Sequence, residues 1–136
     1  MKASALFPVT ALAGCLVLAA CQPANPAARQ QASAEDAADE YRACIRDLDR
    51  RTATEAYTNA TTRRDVVLES CREPLNRFTV VQEQAYSNAC LAHGNEAGHC
   101  DRDAVSRTSE ASAQLQREAA AKVDRSSAAA RRPAPR

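Results

Sequence analysis

The 136-residue chain has no tryptophan, one methionine, three glycines, and aromatic residues at only 4% of its positions. After residue 21 it has only thirteen Val, Ile, Leu and Phe residues, and ten of them lie in 45–91. So few large apolar side chains rarely stabilise a domain alone, and disulfide bonds are the usual supplement. Apolar and polar residues nowhere alternate for more than about five positions, which argues against β-strands.

The chain also lacks the motifs of common enzymes and any excess of charge. No G-x-S-x-G, H-E-x-x-H, G-x-G-x-x-G or phosphate-binding P-loop occurs. Without Lys2, 17 basic residues face 17 acidic ones, so residues 22–136 have zero net charge. That balance gives no electrostatic case for nucleic acid as a partner. We therefore expect a protein that is not an enzyme and uses no cofactor.

The N-terminus has the pattern of an exported lipoprotein. Lys2 precedes an apolar run over 3–20, and polar sequence follows at once, as in a secretory signal. The run ends in Leu18-Ala19-Ala20-Cys21, which resembles the lipobox of bacterial lipoproteins; the resemblance covers residues 1–21. It implies that the Cys21 thiol is acylated, that the signal peptide 1–20 is removed, and that acyl chains hold the protein at the lipid bilayer.

Two alternatives for the N-terminus stay open. Leu12-Ala13-Gly14-Cys15 also fits the lipobox, but cleavage there would leave apolar residues 16–18 where a polar tether is expected. An uncleaved membrane helix is the other alternative, since about 18 apolar residues can span a bilayer. In the lipoprotein family, an aspartate after the cysteine favours retention in the inner membrane. Gln22 therefore favours the periplasmic face of the outer membrane.

The remaining chain predicts a small all-α domain with loose ends. Residues 21–33 form the anchor and a Pro/Ala/Gln tether, and Ser33 caps a helix that opens the domain at 34–124. The core lies in 41–100, and 101–124 form a loosely docked helix with Asp101 or Asp103 as its cap. Residues 125–136 are a disordered basic tail. The architecture is a helical hairpin or a three-helix bundle.

Three sites mark the predicted helix boundaries. Thr52–Thr62 is rich in threonine and contains Asn59, so a break is expected there, and Thr62 is a candidate cap for the next helix. Pro74 predicts a kink, or a new helix that begins at the proline. The best amphipathic segment is 75–91, and Gly94 follows it where a helix-ending glycine belongs.

With Cys21 acylated, four cysteines remain in an oxidising compartment and predict two disulfide bonds. A turn near residue 60 would bring Cys44 close to Cys71, which leaves Cys90 to pair with Cys100. A first helix that turned only at Pro74 would instead pair Cys44 with Cys100 and Cys71 with Cys90. We favour the first pairing, because the second leaves Cys71 and Cys90 ~24 Å apart along one helix.

Residues 90–100, CLAHGNEAGHC, contain both histidines of the chain. Cys90, His93, His99 and Cys100 are the four candidate ligands of a tetrahedral zinc ion. Their spacing matches no common zinc motif, and export favours oxidation of the thiols. A disulfide-closed loop without metal is therefore expected. A Cys–His catalytic pair would also need a free thiol and a pocket.

The same loop resembles the Cys…Asn/Gly/Glu…Cys loop of entry-exclusion lipoproteins, which are encoded with conjugation systems. The resemblance covers about fifteen residues beyond the anchor, and it implies binding to a secretion-channel component. With no site chemistry, the expected function is that of an interaction module, at a secretion or conjugation channel or as an immunity-type inhibitor. The alternative is a structural envelope lipoprotein whose basic tail contacts an anionic polymer.

Overall fold

The computed structural model describes residues 26–55, 57 and 59–131. These residues form four α-helices: α1 (Pro26–Thr52), α2 (Ala60–Ser70), α3 (Arg72–Ala92) and α4 (Ala97–Ala130). No strand occurs among them, which confirms the all-α prediction. The predicted signal peptide, the acylated Cys21 and the alternative Cys15 lie outside the described residues.

The helices form a three-helix bundle in which the middle arm is broken. Together α2 and α3 make this arm; α3 packs against both α1 and α4, while α2 packs mainly against α4. Each helix buries one stripe, as the 3–4 residue spacing of apolar positions predicts. The largest fully buried side chains are Tyr41, Ile45, Val67, Val123, Thr108, Cys71 and Cys100.

Helix α1 begins earlier than the sequence analysis placed it. It starts at Pro26, inside the segment 21–33 assigned to the tether. Proline is well suited to the first turn of a helix, and the Ala, Arg and Gln residues that follow are strong helix formers. Ser33 therefore does not cap: its hydroxyl donates to the carbonyl of Arg29, 3.0 Å away, inside the helix.

The predicted break in the threonine-rich segment is present, with a different cap. Helix α1 ends at Thr52, and Asn59 caps α2 by accepting from the backbone N–H of Thr62 at 2.7 Å. The second boundary falls at Cys71, not at Pro74. Because Pro74 has no N–H, it could not donate to Ser70 in a continuous helix, but it fits the first turn of α3.

Between α3 and α4 the chain turns where glycine allows it. Gly94 has a φ of +79°, the left-handed conformation predicted for the residue that ends a helix. Its N–H donates to the carbonyl of Leu91 at 2.9 Å. Helix α4 then begins at Ala97, so Asp101 and Asp103 lie within the helix and not at its cap.

Helix α4 is longer and better packed than expected. Its buried stripe is made of small or medium side chains, which allow helices to approach closely: Cys100, Ala104, Thr108, Leu115, Ala119, Val123 and Ser127. Residues 101–124 are therefore not loosely docked, because this stripe lies against the rest of the bundle. The helix also continues to Ala130, into the segment 125–136 assigned to a disordered tail; residues 132–136 lie outside the described part.

Both disulfide bonds follow the favoured pairing. Cys44 bonds to Cys71 with Cα atoms 5.9 Å apart, and Cys90 bonds to Cys100 with Cα atoms 5.4 Å apart. The first bond ties α1 to the junction of α2 and α3. The second ties the last turn of α3 to the first turn of α4. The alternative with Cys44–Cys100 and Cys71–Cys90 is therefore wrong.

Candidate functional site

The loop of residues 90–100 lies at the α3–α4 end of the bundle and is open to solvent. His93 and His99 are both exposed, whereas Cys100 is fully buried beneath them. Asn95 steadies the loop by donating from its side-chain nitrogen to the carbonyl of Cys90 at 3.1 Å. The loop therefore has a fixed backbone and two histidine side chains that project into solvent.

The four candidate zinc ligands do not present a thiolate. The sulfurs of Cys90 and Cys100 are bonded to each other, so neither is available to a metal or as a nucleophile while the bond is intact. In the part of the chain that the structure describes, no three His, Cys, Asp or Glu side chains are grouped closely enough to hold a metal ion. The role of the loop that the structure supports is a covalent one, because its disulfide bond links α3 to α4.

A small pocket of about 330 Å³ adjoins this loop, with both histidines and Asn95 in its lining. On its α4 side, Arg107 forms an ion pair with Asp103 at 2.8 Å, and its guanidinium carbon lies 5.9 Å from the centroid of the Tyr86 ring. The guanidinium is thus already engaged by a carboxylate and an aromatic face. The acidic and basic side chains of the lining, Asp103 and Arg107, are therefore paired with each other.

The opposite end of the bundle contains a buried arginine that the sequence analysis missed. Arg63 of α2 is 5% exposed and forms an ion pair with Asp49 of α1, itself 8% exposed. Its Nη1 donates to Ser127 and Ser126 of α4 at 2.6 and 3.1 Å. Its Nε donates to Thr52 at 3.1 Å, and its Nη2 donates to the side chain and carbonyl of Asp49.

All five N–H donors of the Arg63 guanidinium of α2 can therefore be satisfied by acceptors on two other helices, α1 and α4. A signal for this network was present in the sequence. Arg63 stands four residues before Val67 and eight before Cys71, so it lies on a buried stripe, and Asp49 follows Ile45 on the stripe of α1 in the same way. Asp49 and Arg63 thus lie on the buried stripes of two helices that are joined by one turn, and they have opposite charges. This pattern indicates a buried ion pair.

The groove between α1 and α3 is a wide concave surface, with a volume of about 720 Å³. Ala37 and two valines line it, and Val80 is 57% exposed. Carboxylates dominate its rim: Asp36, Glu40 and Glu73. Arg77 of α3 donates to Glu40 of α1 at 2.7 Å across the groove. This surface is apolar at its base and acidic at its edge; we call it the acidic groove.

The groove between α1 and α4 has the opposite charge. It encloses about 330 Å³ and lies over Tyr41, Ile45, Leu115 and Ala119, all of which are buried. Four cationic side chains and one carboxylate line it: Arg42, Arg46, Lys122, Arg125 and Glu118. We call this surface the basic groove. Helix α1 thus separates an acidic groove from a basic one on a chain whose overall charge is balanced.

Tyr41 lies beneath the basic groove and adds no charge to it. It is 1% exposed, and its hydroxyl has no hydrogen-bond partner within the described residues. Burial raises the pKa of this hydroxyl above its ordinary value, because the phenolate would lose its hydration. Tyr41 therefore stays protonated at neutral pH and adds no negative charge beneath the four cations.

Comparison of the chain with known proteins finds no matching family profile, no similar curated protein and no similar solved structure. In the described residues, no helix is both long enough and apolar enough to cross a bilayer. What the chain does is therefore inferred from its own residues and geometry.

Proposed function

We propose that the chain is a bacterial envelope lipoprotein, attached to the outer membrane through Cys21, that binds a protein partner through the acidic groove. It is a non-enzymatic interaction module. The observation that supports this function is the groove itself, where exposed Val80 and half-buried Ala37 lie beside a rim of three carboxylates. An exposed apolar surface with a polar rim is typical of a protein-binding site.

The charges of the groove indicate the chemistry of the partner. Three rim carboxylates against one arginine leave an excess of negative charge, so a complementary partner presents basic residues beside an apolar face. An amphipathic helix with lysine or arginine on its flanks meets both requirements. The resemblance to entry-exclusion lipoproteins supports a component of a secretion or conjugation channel as that partner.

A crosslinking experiment in living cells tests this proposal. A photo-crosslinking amino acid at Asn76, an exposed position in the groove lining, is expected to capture a partner protein. Val80→Asp should lower the crosslinking yield by about tenfold, because the carboxylate would lose its hydration when an apolar partner surface covers it. The yield is measured by mass spectrometry against an unrelated lipid-anchored protein.

Val105 provides the matched control, since it is also an exposed helical valine, at 53%, and lies on α4 outside the groove. Val105→Asp should leave the yield within about twofold of the parent. Equal losses from both valine substitutions, or no product above the lipid-anchored control protein, would reject the acidic groove as the docking surface.

The anchor makes a separate prediction. Cys21→Ala should abolish incorporation of radioactive palmitate and release the protein from the membrane fraction, because acyl chains supply the attachment. Cys15→Ala is the control, and it should leave both labelling and fractionation unchanged. Palmitate labelling that survives Cys21→Ala but is lost in Cys15→Ala would instead establish Cys15 as the acylated residue.

A further inference from the structure

The basic groove concentrates unpaired positive charge. Every Asp and Glu of the chain lies in the described residues, yet none forms an ion pair with Arg46, Lys122 or Arg125. Arg42 is paired with Asp39 at 2.8 Å. Elsewhere in the bundle, seven further arginines have a carboxylate partner: Arg50, Arg51, Arg63, Arg64, Arg72, Arg77 and Arg107.

This concentration is produced by the fold and not by the local sequence. Arg46 comes from α1, whereas Lys122 and Arg125 come from α4, more than seventy residues later. The three cations surround a concave surface over Ile45 and Leu115. Like charges brought together in this way repel one another, and an anion in the groove relieves that repulsion.

We propose that the basic groove is a binding site for a small soluble phosphate ester with an apolar body. Its phosphate lies among Arg46, Lys122 and Arg125, and its apolar body rests against Ile45 and Leu115. This site is distinct from the acidic groove, which lies on the other side of α1. The proposal therefore goes beyond the proposed partner binding and does not depend on it.

The charge and size of the groove select this class of ligand. With Asp39, which pairs with Arg42, counted beside Glu118, the four cations leave an excess of two positive charges. A phosphate monoester matches this excess, because it carries about −1.5 to −2 at neutral pH, a larger charge than that of one carboxylate. Arginine also binds phosphate through two parallel N–H donors. A volume of about 330 Å³ lies at the small end of ligand pockets, at ~300–1,000 Å³, so the apolar body has the size of one ring.

The position of the groove favours a soluble ligand over a lipid headgroup. Ile45 lies nineteen residues after Pro26, where the described chain enters the bundle from the side of Cys21. At ~1.5 Å per residue this places the groove ~28 Å along α1 from the end nearest the proposed anchor. An upright bundle would therefore present the groove to the aqueous compartment.

Phenyl phosphate is the probe that tests the proposal. It is titrated into the full chain in an uncharged detergent at low salt, and binding is followed by saturation-transfer NMR. We expect one saturable site, with an affinity at least about fivefold tighter than that of inorganic phosphate, because the ring adds an apolar contact. Phenol, which lacks the phosphate, should show no saturable binding. Raising the salt concentration should weaken the binding of phenyl phosphate.

Two triple variants with the same change in net charge separate a site from a general attraction. Arg46→Gln, Lys122→Gln and Arg125→Gln together should weaken binding at least about tenfold, which is ~1.4 kcal/mol. The control replaces three exposed, unpaired cations outside the groove, Arg29, Arg102 and Arg117, by glutamine and should change affinity less than about twofold. All six side chains are exposed, so both variants should keep the fold, as circular dichroism would show.

Two further variants should not weaken the binding of phenyl phosphate: one should tighten it, and the other should leave it unchanged. Glu118→Gln removes the one carboxylate of the lining and should tighten binding about two- to threefold. A chain that ends at Ala130 lacks the terminal arginines and should bind as the parent does. Equal losses in the two triple variants, equal affinity for inorganic phosphate, loss of binding in the shortened chain, or the absence of saturation would each overturn the proposal. Binding of the chain to phosphatidylglycerol nanodiscs that phenyl phosphate does not displace would also overturn the proposal, because it would indicate a lipid headgroup as the ligand.

Discussion

Replacing Arg63 by methionine is expected to lower the free energy of unfolding by about 3–5 kcal/mol. The substitution keeps much of the volume of the side chain but leaves the buried carboxylate of Asp49 without its cation. It also removes the donors to Thr52 and Ser127, whose hydroxyls lie in the same buried region. The free energy of unfolding of a small domain is only about 5–15 kcal/mol, so this single change removes a large part of the stability.

Urea unfolding followed by circular dichroism measures this effect. Arg64→Met is the matched control, because Arg64 is the next residue and pairs with Asp124, which is 44% exposed. It should cost at most about 1 kcal/mol. Adding Asp49→Leu to Arg63→Met removes the stranded charge and should recover most of the loss. A loss for Arg63→Met no larger than that for Arg64→Met would show that the buried network does not hold the bundle together.

Replacing Cys44 and Cys71 by alanine is expected to cost about 3–4 kcal/mol, the second largest effect. The bond closes a loop across a sequence separation of 27, so it limits the freedom of the unfolded chain more than a short loop does. Cys71 is also fully buried at the junction of α2 and α3, where backbone hydrogen bonding is interrupted. Loss of the bond therefore weakens the attachment of α1 to the broken arm.

The other disulfide bond is the natural comparison. Cys90 and Cys100 are separated by 10 residues, so replacing both by alanine should cost about 2–3 kcal/mol. Unfolding of the two double variants in urea gives both values under the same conditions. A larger loss from the short loop than from the long one would mean that strain or residual structure, and not loop entropy, determines the contribution of each bond.

Arg63 and the Cys44–Cys71 bond also affect the two grooves. Helix α1 forms one wall of the acidic groove and one wall of the basic groove. Arg63 joins α1 to α4, and the Cys44–Cys71 bond joins α1 to the middle arm, so each holds α1 against a neighbour. Variants that loosen α1 should therefore weaken binding at both grooves, whereas substitutions on one groove should affect that groove alone.

Local patterns were sufficient wherever one helix determines the outcome. The core was predicted within 41–100, and the apolar residues Tyr41, Ile45, Val67 and Phe78 of that range are buried. Gly94 was predicted to end a helix because only a residue tolerant of positive φ fits there. The disulfide pairing followed from helix length and from the weak segment near Asn59, since two sulfurs on one straight helix cannot meet.

Local patterns failed where a distant partner changed the balance. Ser126 and Ser127 were assigned to a disordered tail, because the segment 125–136 has a basic composition of low hydrophobicity. In the structure they accept from Arg63 of α2, more than sixty residues earlier, and helix α4 continues past them. A helix end that is marginal by itself is stabilised when its side chains satisfy a buried charge.

The sequence by itself determined the helical class, the one-stripe design of each helix, the use of disulfide bonds and the expectation of a lipid anchor. Each of these depends on neighbouring residues or on composition. The tertiary structure decided that α2 and α3 form one broken arm, that Arg63 is buried, and that α1 separates two grooves of opposite charge. Those features join residues far apart in the chain, and their free energies depend on desolvation and distance, which no local pattern contains.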